Sequence, residues 1–218
     1  MRASRRSRQP TGALAAAPDV TVLINNAGAN PPSGSLLNVT DADIRANMET
    51  NFFAPVFLAR AFAPILAAAP DSILIDVHSV ASWYAFGGTY SASKAALWPA
   101  TNSLRSELAP KGVHVTGVHM GYVDTRMAAH ADANAPKMAP ADLVTAVYDA
   151  VEAGQFEVIA DELTAQVKAA LSGPVEALYP ELSAAIARAA TPKRRRPAEV
   201  PLACRRRNGS ESIRGGPR

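Results

Sequence analysis

A tyrosine four residues ahead of a lysine, in Thr89-Tyr90-Ser91-Ala92-Ser93-Lys94, is the part of this 218-residue chain best suited to chemistry. The segment reads as the start of a helix, and residues four apart lie on one helical face. A nearby ammonium favours phenolate over phenol, so the pair predicts a Tyr90 pKa below the ordinary value of about 10. A phenol tuned in that way can give or take a proton in acid–base catalysis. Taken by itself, the same spacing also describes a packed ring beside a solvated charge.

Other polar residues close apolar runs. Asn25-Asn26-Ala27-Gly28 ends the run that starts at Val20, Ser79 follows Ile73–Val77, and Gly121-Tyr122-Val123-Asp124-Thr125 follows Val113–His119. Asn51 sits in a helical segment between the first two. Each has a plainer reading. Asn25 and Asn26 could be turn residues, and Gly28 a glycine needed for positive φ. Asn51 could cap a helix interior near Pro55. Ser79 could satisfy backbone groups at a strand end, and Ser82 competes with it as a candidate. His78 and His119 read as packed strand-end histidines, because no His/Cys/Asp cluster has zinc-type spacing. Trp83, Tyr84 and Phe86 could line a substrate pocket or simply cover the core.

The elements that must hold these residues alternate. Val20–Asn25, Ile73–Val77, Val113–His119 and Phe156–Ile159 are short apolar, β-branched runs of the kind buried on both faces. Between them lie helical stretches from Thr40 to about Ala69, from Tyr90 to Ala109 and from Ala139 to Ala153. Leu163–Leu171 and Val175–Ala190 follow, broken at Gly173-Pro174. Thr40 and Asp43 resemble a capping box, and Pro55 splits its helix in two. Such alternation predicts an α/β fold, a Rossmann-like doubly wound parallel sheet of about four strands with flanking helices. Ligands in these folds bind beyond the carboxyl ends of the strands, where three of the candidate motifs fall.

Composition sets the frame. The length suits one domain, read here as residues 19–191, after an irregular basic arm at 1–18 and before an Arg-rich tail at 192–218 that reads as disordered. No apolar run approaches the roughly 20 residues of a membrane span, and no signal-peptide core follows the basic start. The one cysteine, Cys204, excludes an intrachain disulfide. A cytoplasmic protein with no membrane partner is the expectation. The formal charge of +3 hides an asymmetry: residues 1–12 carry four arginines, 193–218 carry a net +7, and 13–192 a net −8. Nucleic acid is therefore an unfavoured partner, and Lys193-Arg194-Arg195-Arg196 reads as a solvated extension.

In this order, Asn-Asn-Ala-Gly at 25–28, Asn51, Ser79, Tyr90 and Lys94 resemble the short-chain dehydrogenase/reductase family, from about Leu14 to at least Ala160. The resemblance implies an oxidoreductase that moves hydride between NAD or NADP and a carbonyl or secondary alcohol, with Asn51, Ser79, Tyr90 and Lys94 as the catalytic set. Tyr90 would be the acid or base, Ser79 would hold the substrate oxygen, Lys94 would also bind the nicotinamide ribose, and Asn51 would position a water. Cofactor contacts would fall on Asn25, Ala27, Gly28, Tyr90, Lys94, Gly121, Val123 and Thr125, the last beside the carboxamide. Homo-oligomers would form through the helices at 51–68 and 90–109. Three departures stand out. No Thr-Gly-x-x-x-Gly-x-Gly turn precedes Val20, which predicts an N-terminally truncated sheet, weakened nucleotide binding and an exposed apolar edge at Val20–Asn25. A catalytically impaired homologue acting through protein contacts is the alternative this raises. The Ser79–Tyr90 spacing is slightly short, and Met120 stands where the family usually has proline.

Overall fold

The β-branched runs do form the sheet. The computed structural model describes residues 11–31, 34–132 and 134–190. Its strands are β1 (Val22–Asn25), β2 (Ile73–Val77), β3 (His114–His119), β4 (Tyr122–Val123), β5 (Lys137–Met138) and β6 (Glu157–Ile159). Four of them make a parallel sheet in the order β1-β2-β3-β6, with Leu23 beside Leu74, Leu74 beside Val115, and Val118 beside Val158. The short β4 and β5 pair separately, a ladder too brief to show in the sequence pattern.

Helices cover both faces. On one lie α3 (Ala54–Ala68) and α4 (Thr89–Leu108), whose Ala59, Phe62, Leu66 and Leu108 close over Leu74, Val113 and Val115. Each such large side chain contributes about 1.5–3 kcal/mol when withdrawn from water. On the other lies α5 (Pro140–Glu152), where Ala150 meets Ile75, Val118 and Val158. Val22 and Ile24 share this second face with Ile73 and Ile75 by register but stay 42% and 51% exposed. Among the described residues β1 pairs on one side only, so the apolar edge expected there is present.

The long helical stretch before β2 is continuous but not uniform. Thr40 caps α2 (Asp41–Met48): its hydroxyl accepts from the Asp43 amide as expected, but the Asp43 carboxylate accepts from that hydroxyl rather than from the Thr40 amide of a full capping box. A π-helical turn at Glu49–Phe53 then joins α2 to α3. Pro55 sits in the first turn of α3, where a missing amide is tolerated, so the irregularity lies before the proline rather than at it. By length and composition the rod Asp41–Ala68 could cross a bilayer, and here it packs on the sheet through α3.

At the start, Thr11–Ala16 forms a short helix, α1, with Leu14 and Ala17 against the α3 side of the core, so this part of the expected irregular arm is ordered. Later come α6 (Glu162–Ala170) and α7 (Val175–Leu178). The chain divides into two compact units after Leu178, and the second contributes one described helix, α8 (Pro180–Ala190). The Arg-rich tail at 192–218 lies outside the described residues.

Candidate active site

Tyr90 and Lys94 lie in the first turns of α4, and their spacing puts both on the face that meets the carboxyl ends of β1 and β2. The Lys94 ammonium is 5.9 Å from the centre of the Tyr90 ring and donates to the Val77 carbonyl at 2.7 Å. Ser79, two residues beyond β2, lies near enough to Tyr90 for its hydroxyl to act on the phenol's pKa. Its hydroxyl also accepts from the Ala81 amide at 3.2 Å, capping a short turn at Val80–Ser82. The plainer reading of Ser79, a hydroxyl that satisfies backbone at a strand end, is present in the structure. Ser82 is buried with its hydroxyl unpartnered among the described residues and has no such link to Tyr90.

Asn51 occupies the π-helical turn and is fully buried. Its amide donates to the Ala29 carbonyl and the Ser93 hydroxyl, each at 2.9 Å, while its oxygen accepts from the Ala29 amide at 2.8 Å. One side chain thus pairs both backbone groups of Ala29, its amide and its carbonyl, and ties the loop after β1 to α4. The widened turn is what lets Asn51 point inward beside Asn47, which donates to Ala29 as well at 2.7 Å.

That clamp brings Gly28 against the lysine. A Cβ on Gly28 would stand 3.8 Å from the Lys94 ammonium, 3.7 Å from the Asn51 oxygen and 3.7 Å from the end of Met127. Beside it opens a cleft of about 620 Å³, lined by Gly28, Ala29, Asn30, Thr125, Arg126 and Met127. Its position outside the strand ends, with a cationic ammonium behind a residue that lacks a side chain, fits the nicotinamide end of a dinucleotide.

Burial governs the charges. Desolvation lowers Lys94 to about 8, and the nearby Asp76 charge partly opposes this. Asp76 is itself fully buried in β2 and pushed up by desolvation; Asn25 donates to it at 2.8 Å and Thr101 at 2.7 Å, and both bonds work against that rise. Tyr90 is raised above its ordinary value by burial, with the Ser79 hydroxyl acting the other way. This corrects the sequence expectation of a Tyr90 lowered by its lysine: burial sets the direction, and the Lys94 ammonium lies beside the ring face and donates to a backbone carbonyl. The histidines are core residues. His78 and His119 stack at 4.6 Å, Trp83 stacks on His119 at 4.0 Å, and burial lowers His119 to about 4 and His78 well below its usual range.

A family model for short chain dehydrogenases matches residues 7–136, more than half of the chain. The chain belongs to the short-chain dehydrogenase family. It is 41% identical over 107 residues to an NADPH-dependent 1-acyldihydroxyacetone phosphate reductase of Schizosaccharomyces pombe, covering 48% of this chain and 36% of that one. It is 34% identical over 150 residues to the ketoacyl reductase HetN of a Nostoc species, covering 66% and 52%. The chain therefore spans about a third to a half of the length of these curated relatives. Among solved structures, a short chain dehydrogenase from Burkholderia cenocepacia in complex with NADP superposes with a TM-score of 0.71 at 35% identity, covering 78% of this chain and 72% of that one.

Within this dehydrogenase fold the remaining sequence candidates separate. Thr125 and Gly28 line the cleft, and Ala27 is the exposed residue just before it. Gly121 donates its amide to Asp161 at 2.5 Å, and a Cβ there would meet the Asp161 carboxylate at 3.4 Å. Val123 packs in the α5-side core and pairs with Met138. The Asn25 side chain donates to Asp76 and the Pro55 carbonyl, binding β1 to β2 and α3, and is not among the residues that line the cleft. Sequence reasoning passed over Asp76, Ser93, Arg126 and Met127. Only Asp76 carried a signal, as a carboxylate inside the apolar run Ile73–Val77.

Proposed function

We propose that this chain is an NAD- or NADP-dependent oxidoreductase that interconverts a carbonyl compound and a secondary alcohol. The observation that carries the reading is the Tyr90 ring with the Lys94 ammonium 5.9 Å from its centre, one helical turn on, and Ser79 near enough to lower the phenol's pKa, beside a cleft at the strand ends. Gly28, Lys94 and Thr125 would hold the nicotinamide end of the cofactor, which supplies or accepts the hydride when bound. Ser79 and Tyr90 orient the substrate oxygen. Tyr90, kept protonated by burial, donates the proton to that oxygen in reduction and takes it back in oxidation. Asn51 is a positioning residue, because its contacts set the Gly28 loop rather than the substrate. The test is NADH- or NADPH-dependent turnover of the full chain across a panel of ketones and alcohols. Absence of turnover with either nucleotide sinks the proposal.

The charge pattern supports a pH dependence with a definite sign. Below about 8 Lys94 is cationic beside Tyr90, and above it the charge is lost. Reduction should hold a plateau at neutral pH and fall as pH rises through about 8. Asp76 raises the Lys94 pKa, so Asp76→Asn should move that fall to lower pH. The Asn side chain can keep the Asn25 and Thr101 contacts by presenting its oxygen to one and its amide to the other. A pH–rate profile unchanged by Asp76→Asn would remove Asp76 from the account.

A further inference from the structure

Three aromatic rings form a row in loops that reach the first turn of α4. Tyr84 packs on the Val80, Trp83 and Val167 cluster, Phe86 follows it at 5.6 Å between ring centres, and Tyr122 meets Phe86 edge-on at 6.4 Å. The row bridges two strand-end loops, since Tyr84 and Phe86 come after β2 and Tyr122 after β3. The loop after β2 is tied to α4 by the Ser91 hydroxyl and one backbone bond. Ser91 accepts from the Gly87 amide at 2.9 Å and donates to the Tyr84 carbonyl at 3.3 Å, and the Tyr90 amide donates to Gly87 at 3.0 Å. The loop bearing two of the rings is therefore clasped to the first turn of α4, the turn that presents Tyr90.

Phe86 is 44% exposed, whereas Trp83, from the same aromatic cluster in sequence, is 7% exposed and belongs to the core. Leu36, 57% exposed, follows the Gly34 backbone that lies against Gly88. None of these side chains is charged. The cleft on the other side of the site, by contrast, has the Arg126 guanidinium on its lining. The site thus has a cationic side and an apolar aromatic side, with the Tyr90 hydroxyl as the reacting group. Large apolar side chains left half exposed beside a concave polar centre mark where a ligand covers them.

We propose that the carbonyl substrate carries an aromatic or bulky apolar group next to the reacting carbon, and that this group seats against Phe86, with Tyr84 and Tyr122 fixing the pose of that ring. The inference deepens the oxidoreductase reading but is tested apart from it, by binding. Acetophenone and butan-2-one are titrated into the full chain with ligand-observed NMR, and turnover with NADPH is followed in parallel. Acetophenone is expected to bind about tenfold more tightly, as a buried ring stacked on rings should. Phe86→Ala should reduce acetophenone binding about fivefold or more and leave butan-2-one unchanged. Phe86→Leu keeps an apolar rim should the alanine variant fail to fold, and it should give a smaller loss of the same kind. Equal binding of the two ketones, no binding of acetophenone, or Phe86 variants that bind it as wild type does would overturn the inference. Acetophenone binding without any NADPH turnover would instead count against the oxidoreductase reading alone.

Discussion

Tyr90→Phe is expected to lower ketone reduction by about 10²–10⁴-fold, the range that loss of a positioned general acid produces. The substitution removes one oxygen and leaves the ring. The helix start at Tyr90, the Gly87 contact and the lysine one turn on all persist, so circular dichroism and the thermal midpoint should stay close to wild type. The Ser79 hydroxyl keeps the Ala81 amide. Ser79→Ala is a less clean probe, because it also uncaps the turn at Val80–Ser82 and mixes a structural loss with a chemical one. Burial holds the Tyr90 proton in place at neutral pH, so the phenol is an acid rather than a preformed base. Oxidation of the corresponding alcohol should consequently need a higher pH than reduction, and Tyr90→Phe should abolish both directions alike. Retention of more than about a tenth of wild-type turnover would mean that the proton comes from elsewhere, because a lost general acid costs at least a hundredfold.

The strands and helices were legible because their residues follow simple periods. The run Ile73-Leu74-Ile75 can only be a strand buried on both faces, and Thr40 with Asp43 marks a helix start by itself. The i, i+4 pair at Tyr90 and Lys94 was legible for the same reason, since helical geometry turns spacing into proximity. What spacing could not convey was the balance between desolvation and charge. The sign of the Tyr90 shift depends on how deep the phenol lies and where the lysine donates, and neither is local in sequence. The partners of Asn51 are Ala29, twenty-two residues earlier, and Ser93, forty-two later. Asn25 looked like a loop residue facing the ligand because it ends an apolar run. Asp76, opposite it in the β1–β2 register, accepts from its side chain. A buried carboxylate in an apolar strand needs donors, and that requirement decides the role of Asn25.

Gly88→Ala should be the most damaging single methyl added to the catalytic loops. Gly88 has φ +54° and ψ −118°, a conformation that a side chain strongly disfavours, and a Cβ there would lie 2.3 Å from the Gly34 carbonyl oxygen. The obstacle is backbone, so it cannot swing aside as a side-chain tip would. Either the loop after β1 must retreat or α4 must start differently, and each disturbs the site, since Gly88 is the residue before the helix that carries Tyr90. Strain and displacement together should cost about 2–3 kcal/mol, seen as a fall of about 5–10 °C in the thermal midpoint. Gly112→Ala separates the two contributions. Gly112 also has positive φ, +78°, but its Cβ would meet nothing within 4 Å. Its cost should be conformational alone, about 1 kcal/mol, with turnover unchanged. The difference between the two variants then measures the contact between Gly88 and Gly34. If both lose the same stability, that contact yields freely and the loop after β1 is not held against α4. If Gly88→Ala loses turnover well beyond its loss of stability, the close approach of these two backbones is what sets Tyr90 in place.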